Sequence, residues 1–154
     1  MNAPDTENVK SYVLLQIGSR RFALAASEVS ELAPPVRLHQ FPHKSPLVSG
    51  IIVRRGRLVP VYDVCPLLTG KDSPTHQFYL VARRHFGSAS EPAAIPVNGD
   101  SELVTADTVQ VTSPPYVSGR LIHAGESIEV LDLDRLVAFE SRERTQVDTA
   151  ELSS

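Results

Sequence analysis

The sequence predicts an all-β fold built from small barrels. Three observations carry that expectation. Short apolar, β-branched runs recur along the chain, turn residues separate them at close intervals, and there is little helical patterning to compete. A length of 154 residues leaves room for one domain with a real core, or for two small intimate subdomains. The hydrophobic share of 42% suits a folded globule.

Residues 12–17 form an apolar run that ends at Gly18-Ser19, and residues 21–25 alternate, with Phe22 and Leu24 on one face. A short turn at the Gly-Ser pair makes the two a hairpin. Ser27 stands where it can cap a brief helical turn through Leu32, and Pro34-Pro35 ends any helix there. Residues 39–46 carry Pro42 and Pro46 and read as an irregular connection. Two β-branched runs follow, residues 51–53 and 58–62, around the polar segment Arg54-Arg55-Gly56-Arg57. Gly56 can supply the positive φ of a tight reversal, so this is a hairpin with arginines at its tip. Pro60 has no N–H for a ladder, which puts the second run at an edge or a bulge. Leu67-Leu68 before Thr69-Gly70 suggests one short helical turn, and residues 71–76 a boundary.

Residues 78–82 are again a strand, residues 87–92 predict a mobile loop, and residues 93–97 restart the β pattern. On local chemistry Asn98-Gly99, between apolar residues, is a two-residue turn. Residues 103–111 continue as mixed extended structure, and Ser113-Pro114-Pro115 breaks it. Residues 117–123 and 127–131 form a hairpin across Ala124-Gly125-Glu126. Residues 132–137 fit a short helix, with Asp132 and Asp134 favourable near its amino end. No strict internal repeat is evident. Residues 1–10 are expected to form a flexible tail, 11–140 the domain, and 141–154 a polar tail that frays.

Several function classes are disfavoured. A formal net charge of -3, with 6% aromatics and no Trp, argues against a nucleic-acid partner. The single cysteine, Cys65, excludes an internal disulfide and fits a reducing cytoplasm; an inert, part-buried thiol is expected there. The amino terminus lacks the basic start and apolar core of a signal peptide. No window approaches the roughly 18 apolar residues of a membrane span, so no direct membrane insertion is expected. His39 and His43 have i, i+4 spacing, but Pro42 lies between them and no thiol or carboxylate stands beside them, so no metal is expected. Asp132 and Asp134 serve more economically as helix-start residues than as an acid–base pair. The sequence has no G-x-S-x-G, no phosphate-binding Gly loop and no H-E-x-x-H. Hence no catalytic residue and no cofactor are assigned, and the chain is not expected to be an enzyme.

The wording of residues 50–64 is specific. Gly50, Arg55, Gly56, Pro60 and Asp63 fall in the register Gly-φ-x-x-x-Arg-Gly-x-φ-φ-Pro-φ-φ-Asp, where φ is apolar. This resembles CheW-like proteins, the adaptors of bacterial chemotaxis. The resemblance runs from about Tyr12 to about Phe139. Val29-Ser30-Glu31-Leu32 is similar to the family's Val-x-Glu-Ile segment, and Ser118-Gly119 to Val137 is similar to its closing hairpin and helix. Asn98-Gly99 stands where the family often has Asp-Gly on a strand that runs straight on, and for connectivity the family is followed there. The chain departs at Val53-Arg54, where the family usually has Asn-Leu, at Val64-Cys65, and at Asp100.

The resemblance implies two five-stranded, SH3-like barrels packed on a shared apolar seam. It implies a non-catalytic adaptor that bridges the cytoplasmic tip of a methyl-accepting chemoreceptor and the regulatory domain of a CheA-type histidine kinase. Such an adaptor works in the cytoplasm, recruited to membrane-associated receptor arrays. Val29, Glu31, Gly50, Arg55 and Gly56 are the partner-binding residues that it carries over. Glu31 and Arg55 would give directional polar contacts, Val29 an apolar one, and the glycines would shape the backbone. Pro60 and Asp63 are structural, and Arg54 and Arg57 belong to a rim. The departures keep open a divergent member that binds receptor, or another CheW-like protein, without the kinase, in a pilus or gliding motility pathway. A reading from another class is an oligonucleotide-binding β-barrel. Arg54, Arg55 and Arg57 with Arg83-Arg84-His85 can make a basic patch, for which a protein partner ranks above a solvated rim and nucleic acid last.

Overall fold

Ten strands dominate the computed structural model, which describes residues 10–40, 47–74 and 78–139. They are β1 (Lys10–Ile17), β2 (Arg20–Ala25), β3 (Val29–Ala33), β4 (Val48–Arg54), β5 (Arg57–Tyr62), β6 (Phe78–Phe86), β7 (Ala89–Ala106), β8 (Val109–Gln110), β9 (Val117–His123) and β10 (Glu126–Leu131). The helices are short, α1 (Cys65–Thr69) and α2 (133–139). Pro66 near the start of α1 and Gly70 at φ +75° just past its end delimit it, and the Gly70 N–H closes on the Pro66 carbonyl at 2.8 Å. In α2 the Asp132 carboxylate accepts from the Arg135 N–H at 3.1 Å, an N-cap contact.

β7 belongs to two barrels at once. Its first part pairs with β6, from Phe86↔Ala89 to Phe78↔Val97, and its second part pairs with β1, from Gln16↔Asn98 to Lys10↔Ala106. One barrel therefore runs β3-β6-β7-β5-β4, and the other β7-β1-β2-β10-β9 with β8 beyond. Among the described residues no ladder joins β3 to β4, or β7 to β9. Each barrel is thus open along one line.

Apolar burial follows the same plan. Ala33, Ile52, Val59, Val61, Tyr79, Val81 and Ala94 fill the first barrel, and Tyr12, Leu14, Ala23, Val104, Leu121, Ile128 and Val130 fill the second. A third cluster, larger than either, lies between them, where Leu15, Phe22, Leu24, Leu80, Ile95 and Leu136 are almost wholly buried. Burying side chains of that size is worth roughly 1.5–3 kcal/mol each, so the seam contributes substantially to holding the two halves together.

The halves repeat one another, although no strict repeat is evident in the sequence. Val48-Ser49-Gly50 recurs as Val117-Ser118-Gly119, 69 residues on, and Gly18-Ser19 recurs as Gly87-Ser88 at the same offset. Equivalent hydrogen bonds follow. The Ser49 hydroxyl donates to the Val61 carbonyl and the Ser118 hydroxyl to the Val130 carbonyl, both at 3.5 Å. The Asp63 N–H donates to the Leu47 carbonyl at 2.8 Å, and the Asp132 N–H to the Tyr116 carbonyl at 2.9 Å.

Two local expectations are corrected, and at a third place the structure decides between two readings. Helix at Ser27 is limited to a 3-10 turn, Ala26–Glu28, without a side-chain cap; Val29–Ala33 is strand, because its backbone pairs with β6. The loop expected at residues 87–92 is a tight hairpin turn at Gly87-Ser88, with β7 starting at Ala89. Asn98-Gly99 is not the turn that local chemistry suggests; β7 runs through it, as the family resemblance implies. Gly99 has the positive φ of a turn, +72°, but uses it in a bulge opposite Leu14–Gln16. The Asn98 side chain, free of any Asx turn, accepts from the Gly18 N–H at 2.7 Å. Residues 41–46, 75–77 and both tails lie outside the described residues, and with them His43 and part of the expected boundary at 71–76.

Candidate partner-binding site

Arg54 pairs with Arg57 across the β4–β5 hairpin, leaving Arg55-Gly56 as a two-residue turn. Both have positive φ, +54° and +75°, as a type I′ turn requires to match the twist of its strands. Left-handed backbone costs a non-glycine residue on the order of 1–2 kcal/mol, so Arg55 is held there by the strands on either side. Its side chain is 81% exposed.

Among the described residues no ladder joins β3 to β4; on that side of β4 backbone bridges only at the isolated pair His39↔Ile51, and at the hairpin tip side chains make the crossing. Glu31, on β3 after a bulge at Ser30, reaches the hairpin tip. One carboxylate oxygen accepts from Arg54, Nε at 2.8 Å and a terminal nitrogen at 2.5 Å. The other accepts from Arg55 Nε at 2.9 Å. Hydrogen bonds from Arg54 first, then from Arg55, hold the Glu31 carboxyl below its ordinary range, against the opposing pull of burial. Arg54 was expected on a rim; it is the more buried of the two partners, with 27% of its side chain exposed. The sequence signal for this lies in the strand period, which no local rule relates to Glu31, 23 residues away.

Beside this cluster lies a shallow cavity of about 250 Å³, walled by Ser30, Glu31, Arg54, Arg55 and Arg57 and reaching down to Val59 and Val81 of the barrel core. Glu31 and Arg55 therefore meet at one groove, together with Arg54. Val29 and Gly50 do not line it. Val29 packs at the edge of the seam, opposite Ala82. Gly50 is buried where the backbone crosses another segment: a Cβ there would stand 2.6 Å from the His39 carbonyl oxygen and 2.9 Å from Leu38 Cδ1. Gly56 is exposed, with open space around its Cα.

Pro60 faces Ile51 across the hairpin, on a strand whose other side meets β7 at the single pair Val61↔Ala94. Asp63 accepts from the Cys65 N–H at 3.3 Å and from the Ser73 hydroxyl, which ties the end of β5 to α1. The basic run on β6 is divided by strand alternation. Arg83 turns to the groove side with Arg57. Arg84 lies over the Tyr62 ring at 5.6 Å and donates to its hydroxyl at 2.8 Å, and the His85 N–H donates to Asp134 at 2.9 Å. Cys65 is buried, with its sulfur 3.5 Å from the Thr69 hydroxyl. No group of three His, Cys, Asp or Glu among the described residues is arranged to hold a metal ion, and no helix among them is long and apolar enough to cross a membrane.

Two like barrels on one seam, with a charged groove at the mouth of one of them, define a double β-barrel module. The family model for the CheW-like domain matches residues 11–111, and the chain belongs to that family. Among solved structures, the chain is similar to the scaffolding protein TtCheW from Thermoanaerobacter tengcongensis. The TM-score is 0.69 at 20% identity, over 82% of this chain and 91% of that one. No curated protein matches it in sequence.

Proposed function

We propose that this protein is a non-catalytic adaptor of a bacterial chemosensory array, coupling chemoreceptors to a CheA-type histidine kinase. The observation that carries the reading is the groove of the first barrel. A carboxylate shared by two arginines frames its mouth, and Val59 and Val81 lie at its floor. Directional charge around a small apolar floor suits recognition of a protein segment, since the apolar part supplies affinity and the polar frame supplies register. Coupling two proteins needs only contacts that differ between signalling states, so no chemistry is required of the adaptor. Its partners are then the cytoplasmic tip of a methyl-accepting receptor and the kinase regulatory domain, and its place is the cytoplasm beside membrane-held arrays.

One observation favours a second reading within the same class. Arg54 stands where the family usually has leucine, and it takes one oxygen of Glu31. That leaves Arg55 half of a carboxylate, which alters what the tip presents to a partner. A divergent adaptor would bind receptor, or another CheW-like protein, and not the kinase, as in pilus or gliding motility. Titration calorimetry of the full chain against the receptor tip and the kinase regulatory domain, each alone, separates the readings. Binding to both supports the array adaptor. Binding to the receptor alone supports the divergent form, and binding to neither removes both.

A further inference from the structure

We infer that the groove continues into a carboxylate-binding subsite formed by Arg57 and Arg83, and that the partner segment it takes is acidic. The identity of that partner rests on the adaptor reading; the subsite does not. A second cavity, about 270 Å³, adjoins the first and shares Ser30, Arg57 and Pro92 with it. Arg83, Ser90 and Glu91 complete its wall. Arg57 comes from β5, just past the hairpin tip, and Arg83 from β6, so two separate hairpins converge their cations on one space.

These two arginines differ from most others in the chain. Arg20, Arg21, Arg54, Arg55, Arg120 and Arg135 all form ion pairs. Among the described residues Arg57 and Arg83 form none, and Glu91, in the same wall, pairs with neither. The two cavities together carry four guanidinium groups against the carboxylates of Glu31 and Glu91. This is a local positive excess on a chain whose net charge is -3. Planar guanidinium forks match a carboxylate's two oxygens, and the hydroxyls of Ser30 and Ser90 can donate to what remains of its lone pairs.

The occupant is a protein segment and not a nucleic acid. No aromatic side chain lines either cavity to stack a base, and the floor at Val59 and Val81 suits an apolar side chain next to the acidic one. The subsite is confined to one half: the residue equivalent to Arg57, 69 positions on, is Glu126, which is itself paired with Arg21. An acidic segment would therefore engage the molecule in one orientation.

The test has two arms, both on the full chain. In the first, an octapeptide of glutamate with a central leucine is titrated while the arginine Nε–Hε resonances are followed by NMR, with octathymidylate as the second probe. The expected result is that Arg57 and Arg83 shift together, well ahead of exposed Arg37. Affinity should fall at least about tenfold in Arg57→Gln/Arg83→Gln and further in Arg57→Glu/Arg83→Glu, both of which should melt like the parent since these side chains are exposed. Uniform shifts over all arginines, no shift, or equal response to the oligonucleotide would overturn the inference. In the second arm the same variants meet the receptor tip and the kinase domain. A selective peptide response with no binding to either protein keeps the subsite and removes the adaptor. Intact binding of the charge-reversed variant together with a blank peptide arm removes the subsite and keeps the adaptor.

Discussion

The β4–β5 and β9–β10 hairpins share one backbone and carry different side chains. Both begin Val-Ser-Gly, both have a register shift near that glycine, both turn through two residues of positive φ, and both end at an aspartate that leads into a helix. The tips differ: Arg55-Gly56 in one, Ala124-Gly125 in the other. A carboxylate crosses the open line of the barrel in each half. Glu31 there is shared by Arg54 and Arg55, whereas Glu102, 49% exposed, meets His123 at 3.3 Å and Arg21 at 3.6 Å. What recurs is what the fold requires, namely Gly50 and Gly119, Gly56 and Gly125, Asp63 and Asp132. What does not recur, Arg54, Arg55 and Arg57, is free to serve recognition. Positive φ at Arg55 is therefore no sign of function by itself, because Ala124 has it too.

The largest expected effect tests the structural side. Gly50→Ala should destabilise the fold by about 3 kcal/mol, as overpacking against fixed backbone does, because the new methyl meets the His39 carbonyl at 2.6 Å. Gly119→Ala meets the Val109 carbonyl at 3.2 Å and should cost about 1 kcal/mol. Urea melts of the two variants decide it. If Gly50→Ala unfolds like the parent yet loses a partner, then Gly50 is a contact residue and the division between repeated and unrepeated positions fails.

Next in size is Arg55. Arg55→Ala should weaken a partner complex by about 2 kcal/mol, the scale of an interface hot spot, while leaving stability within about 0.5 kcal/mol. Its exposed ion pair with Glu31 is worth little to folding. Arg55→Lys should also lose affinity, because an ammonium cannot reproduce the planar fork. Ala124→Arg, the matching change in the other half, should leave binding untouched. Calorimetric titration measures all three. Equal loss from Arg55→Ala and Ala124→Arg would make the two tips functionally alike.

Much of the fold was legible because hairpins are local. Gly18-Ser19 and Ala124-Gly125 announce their turns within a few residues, and the short helices follow from Leu67-Leu68 and Asp132. The misreadings share a cause. Residues 29–32 look helical until β6 supplies a backbone partner some 50 residues away, and on local rules alone Asn98-Gly99 looks like a turn, although the family resemblance carries the strand through it and the Asn98 side chain serves Gly18 instead. The repeat escaped because its copies agree in only a few residues, those that glycine geometry and caps demand. At the candidate site, the resemblance to the family points to Glu31 and Arg55, and the fold brings both to one groove. The role of Arg54 was not legible, since it depends on how the tip folds over β3.

The smallest expected effect concerns acid. Hydrogen bonds from Arg54 and Arg55 hold the Glu31 pKa in the folded state below the ordinary carboxylate range. The stabilisation this brings is present above the unfolded pKa and is lost as pH falls through the folded one. Glu28, in the 3-10 turn before β3, is opposite in sign. Burial, with Asp132 and Asp134 nearby, raises its pKa, so its protonated form is favoured in the fold and its contribution is lost as pH rises through that raised value. On acidification Glu28 is relieved first, as pH falls through its raised pKa, and the tip opens only at lower pH, as pH falls through the lowered Glu31 pKa, so the two changes act in opposite directions on a global melt. They separate in variants: Glu31→Gln should make stability less sensitive to acid, and Glu28→Gln should make it more so. Melts from pH 3 to pH 7, paired with side-chain carboxyl NMR titration, read both. If Glu31→Gln leaves the acid limb unchanged, the arginines do not hold the carboxylate in solution, and the tip of the first barrel is as loosely tethered as that of the second.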